Sequence, residues 1–284
     1  MRFTEYLKYT NSSRRITESS LETVQPKNKD ELVRILQRYF DIEEPDWKCD
    51  LNWIDTSKIT DMSNLFSGVL ELSGGLGLGR FNGDISQWDV SNVKDMNMMF
   101  CASDFKGDIS KWNVSNVTNM EEMFRNSKFN GDISNWDVSH VTNMAAMFMG
   151  SNFNKNISKW NVHNVTDMSN MFGLFSKFNS DISKWDVSNV KDMHRMFDSS
   201  KFNKNISKWD VHNVTDMCKM FTFSKFNKDI SNWDVRNVTD MSEMFAHSEF
   251  NQDISNWDVR NVKDHTDAFR YSDCDPDFRP KFKE

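Results

Sequence analysis

Aspartate and asparagine recur in two rows along the chain. One row is Asp89, Asn113, Asp137, Asn161, Asp186, Asp210, Asp234 and Asp258; the other is Asp84, Asp108, Asp132, Asn156, Asp181, Asn205, Asp229 and Asp253. Stacked carboxylates make the oxygen-rich surface that Ca²⁺ takes. Asn replaces Asp twice in each row, however, and the two share a side-chain acceptor and a turn-forming habit rather than a charge. The rows therefore read as hydrogen-bonded turns, and the calcium-binding nonapeptide Gly-Gly-x-Gly-x-Asp is absent. A third row, Asn92, Asn116, Asn164, Asn189, Asn213, Asn237 and Asn261, broken by His140, reads as structural turn residues although some members form Asn-Val-Thr sequons. No metal or cofactor is expected.

The remaining reactive side chains do not converge. His163 and His212 share a phase, while His140, His194, His247 and His265 stand at others, and none has ligand spacing such as HExxH. Cys49, Cys101, Cys218 and Cys274 occupy unrelated phases, so free thiols are expected. Gly74-Gly75-Leu76-Gly77-Leu78-Gly79 has the look of a phosphate loop, but Arg80-Phe81-Asn82 follows it and no Lys-Ser/Thr does. With no acid/base pair, nucleophile or metal set outside the repeat pattern, no enzyme is expected. The variable positions carry more. Lys111, Lys159, Lys184 and Lys208 directly precede a Trp, and His163, His212, Arg236 and Arg260 stand three residues after one. Together they form a candidate partner-binding stripe for a protein or glycan, the bland alternative being a solvated face.

The elements that must position these residues are written by tryptophan. Trp88, Trp112, Trp136, Trp160, Trp185, Trp209, Trp233 and Trp257 recur every 24 residues with one step of 25, the extra residue falling in Gly173-Leu174-Phe175. They are the candidate structural core. Trp53 opens a degenerate unit with an insertion near 67–80, read as a loop or hairpin, giving about nine units. Within a unit, Trp209 and Val211 alternate around Asp210 as in a short strand. Val214, Met217, Met220 and Phe221 then follow at the spacing of one helical face. Such a unit cannot cover both sides of its own Trp, so stability must come from stacking on neighbours. The composition has the same origin: 10 Trp, 18 Met and 23 Phe come from one unit copied repeatedly.

The phrase Val-Thr-Asp-Met-x-x-Met-Phe, with Phe-Asn-x-Asp-Ile-Ser-x-Trp-Asp-Val-Ser-Asn, resembles the BspA-like leucine-rich repeats, in the Met/Phe/Trp variant of mycoplasma-type surface lipoproteins. The resemblance covers about residues 50–270, with Met96 and Met99-Phe100 filling the places of Ile and Ala-Phe in the commoner pattern. It implies a right-handed solenoid and a non-catalytic role at the cell surface, in adhesion or partner binding. The expected fold class is thus an α/β repeat solenoid, a leucine-rich-repeat-like right-handed coil with one short strand and one short helix per 24-residue repeat.

The ends lie outside the period. Residues 1–46 are expected to form an N-terminal arm and helical cap, 47–263 the repeats, and 264–284 a C-terminal cap and tail. Asn28-Lys29-Asp30-Glu31 is a capping-box pattern, and Leu32, Ile35, Leu36, Tyr39 and Phe40 then share one helical face. A formal charge of −7 argues against a nucleic-acid partner, and no stretch reaches the roughly 20 apolar residues of a membrane span. The first residues show no apolar h-region, so a signal peptide is not expected. That leaves two readings: a recognition scaffold, with surface adhesion as its specific form, or a structural component of a virion or other large assembly docked through residues 1–46.

Overall fold

The computed structural model describes residues 23–41, 45–69 and 77–283. Most of the Gly-rich insertion (70–76) and of the N-terminal arm (1–22) lies outside the described residues.

Successive units lie on one another in register. The N–H groups of Met96, Met98, Phe100 and Ala102 donate to the carbonyls of Asn119, Glu121, Met123 and Arg125 in the next unit, at 2.7–3.0 Å. The same four bonds recur at each following pair of units, down to Met241, Glu243, Phe245 and His247 on the last. One parallel bridge marks each step: Asp61 to Asp95, Asp95 to Asn119, Asn119 to Asn143, and so on to Asp264.

These bonds replace the helix that the Met-x-x-Met-Phe spacing predicts. Residues 96–102 and their counterparts form consecutive turns, with Met99 N–H donating to Met96 carbonyl at 3.2 Å and Cys101 N–H to Met98 carbonyl at 3.1 Å. The first of these turns is of the kind whose third residue needs a positive φ. Met98, Glu122, Ala146, Asn170, Arg195, Lys219, Glu243 and Asp267 all supply it, at 51–56°. A second left-handed row follows four residues later, through Ala102, Asn126, Gly150, Ser199, Phe223, His247 and Tyr271. Left-handed backbone costs a non-glycine residue roughly 1–2 kcal/mol. A helix would have spared that cost, but it bonds its N–H groups internally, whereas the turns aim every second one at the neighbouring unit. Over seven residues the buried positions of two turns and of two helical turns coincide, which is why the spacing misleads. The strand expected at Trp-x-Val is likewise not formed; the bridge residue is the Asp or Asn before the first Met.

Side chains complete the stack. Phe66, Phe100, Phe124, Phe148, Phe172, Phe197, Phe221, Phe245 and Phe269 form a column with centroids 5.4–5.9 Å apart. A second column from Phe81 to Phe250 runs beside it at 6.0–6.3 Å spacing. The repeat tryptophans are buried, and each indole N–H reaches back to the unit before, as Trp160 Nε1 does to Ile133 carbonyl at 3.1 Å. The added residue of the 25-residue step is Phe175. Leu174 keeps its bond to Asp198 carbonyl, while Phe175 is pushed out and is 74% exposed.

Helix α1 (Lys29–Phe40) starts at Asn28, whose side chain accepts from Glu31 N–H at 3.0 Å. Its buried face is Leu32, Ile35, Leu36 and Phe40, and Phe40 stacks on Trp47 at 5.1 Å and meets Phe81 at 6.1 Å. At the other end the tail turns back over the last unit. Phe278 carbonyl accepts from Ile254 N–H at 2.9 Å, Phe282 stacks on His265 at 4.4 Å, and Arg279 lies over Phe269 at 5.2 Å.

Candidate functional site

The Asp/Asn rows are turn caps. In the row before Ile, each Oδ1 accepts the N–H two residues ahead at 2.8–3.0 Å. In the row after Trp the same bond is 2.9–3.3 Å. Asn can make this bond as well as Asp, which explains their interchange. Where the residue is Asp, the bond favours the charged form: the Ser86, Ser110 and Ser231 N–H groups hold Asp84, Asp108 and Asp229 below the usual carboxylate range. The third row is a rail between units, with Asn164 Nδ2 donating to Ser139 carbonyl and Asn213 Nδ2 to Ser188 carbonyl, both at 2.7 Å.

The structure divides the predicted stripe in two. The residues three after Trp are largely neutralised. His163 Nδ1 stands 2.8 Å from Asp186 Oδ2, and His212 Nδ1 2.8 Å from Asp210 Oδ1. Arg236 Nε bonds Asp234 at 2.8 Å, and Arg260 grips both oxygens of Asp258 at 2.8 and 2.6 Å. The Arg260 hydrogen bonds hold the Asp258 carboxyl down at about 2. These groups are a row of closed pairs. The lysines differ. Lys111, Lys159, Lys184 and Lys208 are exposed, and among the described residues none is within ion-pair distance of a carboxylate. Lys159, Lys184 and Lys208 stand on consecutive units. Beside Lys159 opens a cavity of about 600 Å³ lined by Asn130, Gly131, Asp132, Ser134, Lys155, Asn156 and Lys159. Its walls are polar and carry two ammonium groups, of Lys155 and Lys159, against one carboxylate, of Asp132.

Two clusters escaped sequence reasoning. Phe223, His247 and Tyr271 occupy the second left-handed row on three consecutive units; His247 stacks on Phe223 at 4.4 Å and meets Tyr271 at 4.9 Å, while Phe223 is 58% and Tyr271 70% exposed. Reading that variable column down the repeats would have found them. The other is in the bridge row, where Asp192, His194 and Asp216 place one ligand-type atom each within 4.8 Å of one another. Burial, with Asp192 and Asp240 as like-charged neighbours, pushes the Asp216 carboxyl up. The phase of His194, two residues after the bridge Asp, was the available signal. Cys101, Cys218 and Cys274 are free thiols; Cys101 is buried, and burial pushes it up to about 11, so it stays protonated at neutral pH.

No curated protein and no solved structure matches the chain. A family description does, over residues 34–151, 125–222 and 175–275, in three overlapping copies that together span most of the chain. On that repeated match the chain belongs to the family described as "Mycoplasma protein of unknown function, DUF285".

Proposed function

We propose that this chain is a non-enzymatic recognition scaffold, a right-handed solenoid of the BspA-like leucine-rich-repeat kind displayed at a cell surface. In this reading it binds an anionic protein or glycan partner along the lysine row. The observation that carries it is the contrast within the stripe: Lys159, Lys184 and Lys208 are exposed and unpaired on consecutive units next to a polar cavity, while neighbouring His and Arg side chains are closed onto aspartates. Exposed ammonium groups held in register on a stacked array favour a partner whose carboxylates or sulfates also repeat. The family match and the inter-unit register support a repeat scaffold; adhesion is the role the family resemblance implies.

The test borrows the chain's own alphabet. Asn135, Asn232 and Asn256 occupy the lysine position in other units, so the triple variant Lys159→Asn, Lys184→Asn, Lys208→Asn preserves the repeat. Wild type should be retained on heparin and on poly-glutamate columns in low salt, and the triple variant should elute earlier from whichever resin mimics the partner. Equal retention of both proteins would refute the lysine row as the recognition surface.

A further inference from the structure

The residue two after each bridge Asp or Asn varies from unit to unit; it is Ser169, then His194, then Cys218, then Ser242. Only in one unit does an imidazole stand there, and it stands inside an unbroken carboxylate run. Asp192 and Asp216 belong to adjacent units joined by a parallel bridge. With His194 they bring three ligand-type atoms within 4.8 Å of one another at a half-buried place. His194 Nδ1 is 2.8 Å from Asp192 Oδ1. Two ligands each about 2.0–2.1 Å from one ion and near a right angle lie roughly 3 Å apart, so an ion would replace this hydrogen bond with little movement. The His212–Asp210 pair has the same 2.8 Å contact, and what sets His194 apart among the described residues is the third ligand that Asp216 supplies.

The surroundings fit the same reading. Oδ1 of Asp192 and of Asp216 each accepts a backbone N–H at 2.9 Å, which holds both carboxylates in place. Asn170 Nδ2 lies 3.0 Å from His194 Nε2. The same amide turned over presents its oxygen to an Nε2–H, and a metal-bound histidine usually has such an outer partner on its second nitrogen. One imidazole nitrogen and two carboxylates suit a borderline transition ion such as Zn²⁺, with water completing the shell. Ca²⁺ and Mg²⁺ ask for six or more oxygens. We propose that Asp192, His194 and Asp216 form a Zn²⁺-class metal site that clamps two adjacent units together.

Both decisive variants already occur as residues of other units. His194→Ser installs the residue of Ser169 and Ser242, and Asp216→Asn that of Asn119 and Asn143, so neither should disturb the fold. Metal-stripped full-length chain is titrated with ZnCl₂ by calorimetry, alongside both variants and Cys218→Ser, and thermal unfolding is followed with and without Zn²⁺. Wild type and Cys218→Ser should take up one equivalent tightly, and Zn²⁺ should raise their melting temperature. His194→Ser and Asp216→Asn should bind at least about tenfold more weakly, lose the thermal shift, and melt no lower than wild type when metal-free. The proposal fails if wild type shows no tight equivalent, if both variants bind as wild type does, if Cys218→Ser alone abolishes binding, or if Mg²⁺ or Ca²⁺ competes at equal concentration.

Discussion

The two sides of each unit hold their neighbours by different means. On the Met-x-x-Met-Phe side, four backbone N–H groups reach the next unit's carbonyls, and almost any side chain is tolerated: the left-handed position is Met, Glu, Ala, Asn, Arg, Lys or Asp in turn. On the Trp side the grip is made largely by side chains, the indole N–H to an Ile carbonyl and the Asn amide to the carbonyl three residues after Trp. Trp never varies there in eight units, while of the four ladder donors the two left-handed ones vary freely and only the Met and Phe that also fill the core are fixed. Where main chain does the bonding, conformation is constrained and identity is free; where side chains do it, identity is constrained. The lysine row and the metal cluster both sit at positions the stack leaves open.

Substitutions can break this contrast in order of size. Trp160→Ala should be the most damaging, at about 3–5 kcal/mol, because it empties a buried ring site as well as removing a bond; a urea midpoint measures it. Trp160→Phe keeps most of the ring and strands the Ile133 carbonyl, so the expected loss is about 1–3 kcal/mol. If it matched the alanine variant, the indole bond rather than packing would hold that side. On the turn side, Gly150→Ala should cost about 1–2 kcal/mol, since φ is +65° and a Cβ would run into Asn126 Oδ1. The reverse change one turn earlier, Ala146→Gly at φ 52°, should stabilise by about 0.5–1 kcal/mol. A stabilising glycine inside a buried turn would show that conformation, not the methyl group, limits that side.

The smallest effect is on pH dependence, and its two contributions have opposite signs. Asp84, Asp108 and Asp229 have lowered folded values from their turn N–H bonds. Their stabilisation is present above the ordinary carboxylate value of 3.8 and is lost as pH falls through the lowered ones. Asp216 is raised by burial, so the folded state holds its proton longer and stability falls as pH rises from 3.8 through the raised value. Asp216→Asn should remove that decline in melting temperature above the ordinary carboxylate value of 3.8, whereas Asp229→Asn should leave it and weaken the acid-side loss.

Much of this organisation is legible in residues alone. The Trp phase gives the unit, the Phe and Met columns give the buried face, and Asn28 with Glu31 announces α1. The turn segment is not legible because Val93, Met96, Met99 and Phe100 are buried in either a helix or a pair of turns, and nothing in those four side chains reports the sign of φ at Met98. The closed ion pairs at Arg236 and Arg260 are hidden for another reason. An Asp two residues before an Arg is uninformative until the turn folds one over the other. Asp192, His194 and Asp216 are 24 residues apart or less in the chain, and their proximity appears only once the units are in register.

The backbone bonds between units have one further consequence. They run from unit to unit, several in parallel at each junction among the described repeats: beside the four of the turn ladder, Thr118 N–H donates to Lys94 carbonyl and Lys128 N–H to Ser103 carbonyl. A load applied between the two ends would therefore pass through every junction in series and be shared by the parallel bonds within each. Such a molecule should not stretch gradually; it should give way one rung at a time, each at nearly the same force. A rung clamped by an ion between Asp192 and Asp216 would be the last of its neighbours to let go.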